Sequence, residues 1–148
     1  MKTKDLLAIS KKFGSPIYVY DANKIENQYK RLVKAFSNVS NLRIHYAVKA
    51  LSNISILKFM KHLGSDLDTV SIQEVELGIQ AGFEPSKIMF TPNGVSIDEI
   101  EAVSKLGVQI NIDNLSILEQ FGSKNPETPV CIRINPHVNA GGNSNISV

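Results

Sequence analysis

Little in this sequence could be oxidised into cross-links. Its one cysteine, Cys131, sits in the apolar run Val130-Cys-Ile132. A disulfide framework is therefore excluded, and a buried thiol in a reducing, cytosolic setting is the expected reading. Long hydrophobic runs are missing too: none approaches the about 20 residues that span a bilayer, so the chain reads as soluble and not membrane-bound. Nor is one sign of charge in excess. The 16 basic and 14 acidic residues give a net charge of +2, dispersed along the chain. That leaves out the electrostatic footprint of a nucleic-acid or anionic-membrane binder. Cys and His are nowhere grouped at metal-ligand spacing, which argues against a zinc site.

What the sequence does contain is a recurring unit. With 148 residues the chain can build one real core, burying roughly 70% of its unfolded surface if compact. At the start, Leu6, Leu7, Ile9 and Phe13 are interleaved with Lys2, Lys4, Lys11 and Lys12. This suits a short amphipathic helix better than a signal peptide, whose apolar core is continuous. Further on, an apolar strand, a polar turn and an amphipathic helix closing on glycine recur every roughly 21 to 25 residues. The closures read His62-Leu-Gly64, Gln80-Ala-Gly82, Lys105-Leu-Gly107 and Gln120-Phe-Gly122, and glycine there supplies the left-handed residue that reverses the chain.

Period-2 patterning predicts strands over residues 17–20, 42–48, 67–70, 88–90, 109–112 and 130–134. Helical faces are drawn by Ile25, Tyr29, Leu32 and Phe36, and by Ile97, Ile100, Val103 and Leu106. Ser71-Ile-Gln-Glu74 and Ser96-Ile-Asp-Glu99 both match the capping box that opens a helix.

Alternating strands and helices predict an α/β fold with a parallel sheet, either closed as a (β/α)8 TIM-type barrel or open and doubly wound. The first strand is not followed by a glycine-rich dinucleotide fingerprint, which weakens the second option. A full barrel takes eight units in about 250 residues. The stretch from Pro136 onward is irregular and brings no closing helix. The expectation is a partial barrel within a longer chain.

Barrel sites stand at the C-terminal ends of the strands. There the sequence places Lys49; Asp68 and Ser71; Pro92 and Asn93; Asn111 and Asp113; and Arg133, Asn135, Pro136 and His137. A lysine, an aspartate and an arginine on one rim suit chemistry with amines and anions. Lys49, ending the run Leu42-Arg-Ile-His-Tyr-Ala-Val-Lys49, is either a solvated edge residue or an amine nucleophile. Asp68 can equally bond its own loop, and Ser71 with Glu74 is explained by capping alone. Asp113 is expected to cap the helix from Leu115, His45 to be a packed or hydrogen-bonded side chain, and His62 to complement a helix dipole. Arg133 enters an apolar strand, where a guanidinium needs an anionic or aromatic partner.

Taken together, these motifs resemble a known family. Tyr46-Ala-Val-Lys49-Ala50 is similar to the lysine motif of the alanine racemase-like, fold type III barrel enzymes that use pyridoxal 5'-phosphate (PLP). Phe13-Gly-Ser-Pro-Ile-Tyr-Val-Tyr-Asp21, Asp68-Thr-Val-Ser71-Ile-Gln-Glu74, Ile88-Met-Phe-Thr-Pro-Asn93 and Arg133-Ile-Asn-Pro136 follow in the order seen in the diaminopimelate decarboxylases.

The resemblance implies that Lys49 is catalytic and joins PLP as a Schiff base, its amine made nucleophilic by a partly desolvated pocket. Asp68 and Arg133 are implied as further cofactor-binding residues, with Ser71, Glu74 and Asn93 near the site. It also implies decarboxylation of meso-2,6-diaminopimelate to L-lysine and CO₂ by a cytoplasmic homodimer.

By the same likeness, residues 1–40 lead into the barrel, with strand 17–20 belonging to a second β domain. Residues 41–148 then carry about five of the eight barrel strands and are inactive alone. Leu51 follows Ala50 where relatives often carry asparagine, which here appears only at Asn53. Gly141-Gly142 does not match the phosphate loop, which the resemblance puts downstream. The alternatives are a decarboxylase of ornithine, arginine or carboxynorspermidine, and a PLP-binding homeostasis protein without a reaction of its own.

Overall fold

The computed structural model describes residues 1–134, so Asn135, Pro136, His137 and the Gly141-Gly142 pair lie outside the described residues. The chain divides into two compact units, Met1–Leu42 and Arg43–Val148.

The first unit holds α1 (Thr3–Phe13) and α2 (Ala22–Ala35). The helix expected at the N-terminus is present, with Asp5 in its first turn and Lys11 and Lys12 in its last, the order that the helix dipole favours. Asp21 caps α2 by accepting from the Lys24 N–H at 3.3 Å. That bond, and then the N-terminal ammonium, hold its carboxyl below the ordinary 3.8. Neither helix buries a residue. Residues 17–20 carry no strand pairing, and Tyr18 is 91% exposed. The strand expected there is therefore absent from the structure. An extended segment becomes a strand only when a neighbour takes its backbone hydrogen bonds, and the described residues of this unit provide none.

In the second unit β1 (His45–Ala47), β2 (Asp66–Thr69), β3 (Ile88–Phe90), β4 (Gln109–Ile112) and β5 (Val130–Ile132) form one sheet. They alternate with α3 (Ile54–His62), α4 (Ile72–Gln80), α5 (Ile97–Ser104) and α6 (Leu115–Lys124). Every pairing is parallel and the strand order follows the sequence, β1-β2-β3-β4-β5. Right-handed crossovers that always advance in one direction put all their helices on one face. A doubly wound sheet must instead reverse its order at a switch point, and this one does not. The winding is that of an arc of a (β/α)8 barrel.

Burial confirms the layering. Leu67, Ile88, Phe90, Ile110 and Ile112 are at most 2% exposed and pack with Val75, Ile100 and Phe121 from the helices. Each such side chain contributes about 1.5–3 kcal/mol by leaving water. Helix α4 comes so close that a Cβ on Gly78 would lie 2.8 Å from Leu67 Cδ1 and 3.2 Å from Ile88 Cδ1. Since strand side chains alternate, His45, Ala47, Asp66, Asp68, Met89, Gln109, Asn111 and Cys131 fall on the opposite, inner face. Cys131 is accordingly half-buried rather than buried, with Gln109 Nε2 3.7 Å from its sulfur.

The helix ends refine the expected signals. Gly64, Gly82 and Gly107 have φ of +89°, +93° and +76° and turn the chain as predicted. Gly122 does not: it lies inside α6, which runs on to Lys124 before Asn125 ends it. Capping of α6 falls to Asn114, not Asp113, with Asn114 Oδ1 accepting from Ser116 N at 2.8 Å and Ile117 N at 3.2 Å. Both residues are competent caps, and the turn geometry selects the later one. The capping boxes are modified. Ser71 and Ser96 accept from Glu74 N and Glu99 N, each at 3.3 Å. Glu74, however, reaches back to Val70 N at 2.9 Å, while Glu99 crosses to Ile72 N, the first helical residue of α4, at 3.1 Å.

Candidate active site on the C-terminal rim

Parallel strands bring their C-terminal ends to one rim, and the sequence candidates stand along it. Lys49 lies in the single 3₁₀ turn Val48–Ala50 that follows β1 directly. Asp68 is in β2, opposite Ala47 in the ladder and half-buried. Asn93 follows β3 and Arg133 follows β5, its backbone N–H still donating to Ile112 O at 2.8 Å. Alternation puts Arg133 on the inner face with Cys131.

Among the described residues, the side chains of Lys49, Asp68, Asn93 and Arg133 have no hydrogen-bond or ion-pair partner. That outcome sets aside self-bonding by Asp68 within its loop. It also leaves Arg133 exposed and without the partner that a strand guanidinium was expected to need. The partly desolvated pocket expected around Lys49 is not formed by the described residues either, for the residue is exposed. Its turn lifts it clear of the core that buries the preceding Val48 completely.

The remaining near-site candidates are engaged locally. Ser71 and Glu74 hold the N-terminus of α4 as described above. Asn93 lines a cleft of about 410 Å³ between the β3–α5 and β4–α6 turns, with Asp113, Asn114 and Ser116 also on its wall. Neither Lys49 nor Asp68 lines it. Asn53 opens α3, Oδ1 accepting from Ser55 N at 2.9 Å and Ile56 N at 3.4 Å.

Sequence reasoning missed one inner-face feature and misjudged its neighbour's company. Asn111 is on the strand-end list, but nothing in the pattern shows that its Oδ1 is buried with no hydrogen-bond partner. His45, read as a hydrogen-bonded side chain, does place Nδ1 3.2 Å from Leu67 O. It also stands 3.9 Å from Asp66, a carboxylate that sequence reasoning passed over.

Asp66 is at the opposite, N-terminal rim. Its side chain is 7% exposed and is held by Arg43 Nε at 2.6 Å and Lys87 Nζ at 3.7 Å, while Arg43 also donates to Ser86 O at 2.9 Å. The signal available was a carboxylate between Ser65 and Leu67, where the strand pattern asks for a partner.

Chemically, the C-terminal rim offers an accessible primary amine, a carboxylate on the next strand, a guanidinium at the far end and an unsatisfied amide carbonyl below. This set fits a group that carries an aldehyde, a polar ring and acidic substituents. Asn53, Ser71, Ser96 and Asn114 cap α3, α4, α5 and α6, each accepting from one or two of the N–H groups at its helix's N-terminus. Among the described residues there is no group of His, Cys, Asp and Glu able to hold a metal ion, and no helix is long and apolar enough to cross a membrane.

Comparison with known proteins agrees with this arrangement. Residues 22–148 match the family model described as pyridoxal-dependent decarboxylase, pyridoxal binding domain. The chain is 36% identical over 139 residues to the diaminopimelate decarboxylase of Methanothermobacter thermautotrophicus, covering 93% of this chain and 32% of that protein. With the enzyme of that name from Escherichia coli K12 it shares 35% identity over 140 residues, covering 92% and 32%. Thus it spans about a third of the length of these curated relatives.

Among solved structures, the diaminopimelate decarboxylase of Helicobacter pylori complexed with L-lysine superposes with a TM-score of 0.82 at 33% identity, over 98% of this chain and 37% of that one. The lysine/ornithine decarboxylase of Vibrio vulnificus complexed with putrescine gives 0.79 at 25%, over 88% and 36%. A five-stranded arc with an unpartnered lysine on its C-terminal rim, matched over nearly its whole length by this family, places the chain among the pyridoxal-dependent decarboxylases, within their pyridoxal-binding domain.

Proposed function

We propose that the chain is the lysine-bearing part of a PLP-dependent diaminopimelate decarboxylase, which converts meso-2,6-diaminopimelate to L-lysine and CO₂. The observation that carries this reading is the accessible amine of Lys49, mounted at the end of β1 beside the strand that bears Asp68. When bound, PLP supplies an electron sink for the pair left behind as a carboxylate departs.

The chain's own residues do the rest. Lys49 would hold the cofactor through its aldehyde, a group that accepts amines. Asp68 would present negative charge to the cofactor, and Arg133 would offer a planar donor fork to an anionic group. Asn111 has an amide oxygen to give to a donor. Ser71, Glu74 and Asn93 shape the surrounding turns. The names shared by relatives at about 35% identity support this choice of substrate.

Assembly as a homodimer belongs to the same reading, as does a second β domain, built from sequence outside these residues, in which segment 17–20 finds its pairing. Residues 1–148 alone are expected to be inactive, since they span about a third of the length of the curated relatives.

The likeness to the Vibrio vulnificus enzyme supports a second reading, in which the substrate is a single-headed diamino acid such as ornithine or lysine. The test uses the protein as its gene encodes it, supplied with PLP and each candidate diamino acid. Release of CO₂ and L-lysine from meso-diaminopimelate, abolished in Lys49→Ala, is the expected result. Activity confined to ornithine or lysine selects the second reading. Visible absorption of lysine-linked PLP that is equal in parent and Lys49→Ala overturns both.

A further inference from the structure

Lys49 poses a problem of aim. Its side chain is exposed and, among the described residues, touches nothing that could hold its amine in one direction. A long flexible side chain with no partner has its reach set by the backbone from which it starts. The direction of the amine must therefore come from the turn Val48–Ala50, and the question is what fixes that turn.

The structure shows ties on each side of it. Before it, Ala47 is locked in the β1–β2 ladder against Asp68. Across it, Leu51 N donates to Val48 O at 3.0 Å, closing the 3₁₀ turn. Beyond it, Asn53 starts α3. One further contact binds the exit of the turn to the strand that enters it: the Tyr46 hydroxyl donates to Leu51 O at 3.2 Å. The Tyr46 ring is itself anchored, packed against the core on the helix side of the sheet. A single rigid side chain therefore spans from the paired strand β1 to the far end of the lysine turn, with Lys49 held between.

We propose that the Tyr46 hydroxyl is a positioning group for Lys49, clamping the turn so that the amine meets the cofactor aldehyde without first ordering its backbone. The inference rests on the reading of Lys49 as the PLP lysine. It adds that the hydroxyl at position 46, three residues earlier and turned toward the helix layer, tunes how readily that amine reacts.

Tyr46→Phe isolates the hydroxyl, because the ring and its packing remain. The loss of one hydrogen bond in a half-buried turn corresponds to about a three- to tenfold change in an equilibrium. The experiment titrates PLP into the gene product and follows lysine-linked absorption in parent, Tyr46→Phe and Lys49→Ala. In parallel, hydrogen exchange of the Leu51 amide reports on closure of the turn.

The expected result is that Tyr46→Phe needs about three- to tenfold more PLP for half-maximal absorption and exchanges Leu51 faster, with strand amides in β2 and β3 unchanged. Unchanged PLP demand and unchanged Leu51 exchange, with Lys49→Ala silent, overturn the positioning role while leaving the lysine assignment intact. Absorption that survives in Lys49→Ala removes the lysine assignment, and the inference with it. A general loss of protection across β2 and β3 shows a structural role for the hydroxyl and also overturns the proposal.

Discussion

The two rims of this sheet treat charge in opposite ways. At the N-terminal rim the buried carboxylate of Asp66 is surrounded by Arg43, Lys87 and His45, and Arg43 is further tied to Ser86 O. At the C-terminal rim Lys49, Asp68 and Arg133 stand with no partner among the described residues. Burying a carboxylate without partners costs several kcal/mol in water-free surroundings, so the first rim reads as a clasp that joins β1, β2 and the turn before β3. Leaving charges unpaired on an accessible rim costs little, and it keeps them available to a ligand. Charged strand residues alone do not distinguish a fastening from a site; the presence of partners does.

Exchanging the loss between the rims gives the largest expected contrast. Arg43→Met removes a short charge-assisted bond to a buried acid and should lower unfolding free energy by about 2 kcal/mol, with the PLP demand of Lys49 unchanged. Lys49→Ala should do the reverse, abolishing lysine-linked absorption while moving stability by less than about 0.5 kcal/mol. Denaturant unfolding alongside PLP titration reads both. Equal destabilisation by the two variants would break the comparison.

A smaller effect is expected at Glu99, in the first turn of α5, which behaves as a fastening because it accepts from Ile72 N. Glu99→Ala should cost about 1–2 kcal/mol, and Glu99→Gln, which keeps an acceptor oxygen, should recover most of it in the same unfolding assay.

The smallest is at neither rim. The Glu101 carboxylate accepts from Lys124 Nζ at 2.6 Å between α5 and α6, and this bond raises the lysine pKa above 10.5. A group whose folded pKa lies above its unfolded value contributes stability that is present below the unfolded value and lost as pH rises through the folded one. Lys124→Met should therefore lower the melting temperature slightly below pH 10.5, and the gap to the parent should close in more alkaline buffer.

The winding was legible because period-2 strands, helical stripes and glycine stops are local signals that repeat. Gly64, Gly82 and Gly107 behave as their neighbours in sequence suggest. Gly122 does not, because nothing local distinguishes a glycine that stops a helix from one that a helix tolerates. Asn114 displaced Asp113 as a cap for a similar reason: two good caps in adjacent places are separated only by backbone geometry.

The rim positions of Lys49, Asp68, Asn93 and Arg133 could be read from strand ends, whereas their lack of partners could not. Asp66 escaped notice because Arg43 and Lys87 meet it only through the sheet. Tyr46 falls within the strand predicted over 42–48, and its hydroxyl bond to Leu51 O leaves no trace in hydrophobic patterning. Segment 17–20 shows the converse, a pattern that promises a strand without supplying its neighbour.

The strand order has a bearing on how the chain assembles. Laddered residues lie only about twenty positions apart, His45 with Asp66 and Met89 with Gln109. Each newly synthesised strand can thus dock on the one made just before it, without waiting for a distant segment to emerge. Such short closures favour rapid, stepwise growth, and a nascent chain can add units in the direction of translation. The growing edge is the last strand made, while β1 keeps the opposite edge open from the first pairing onward.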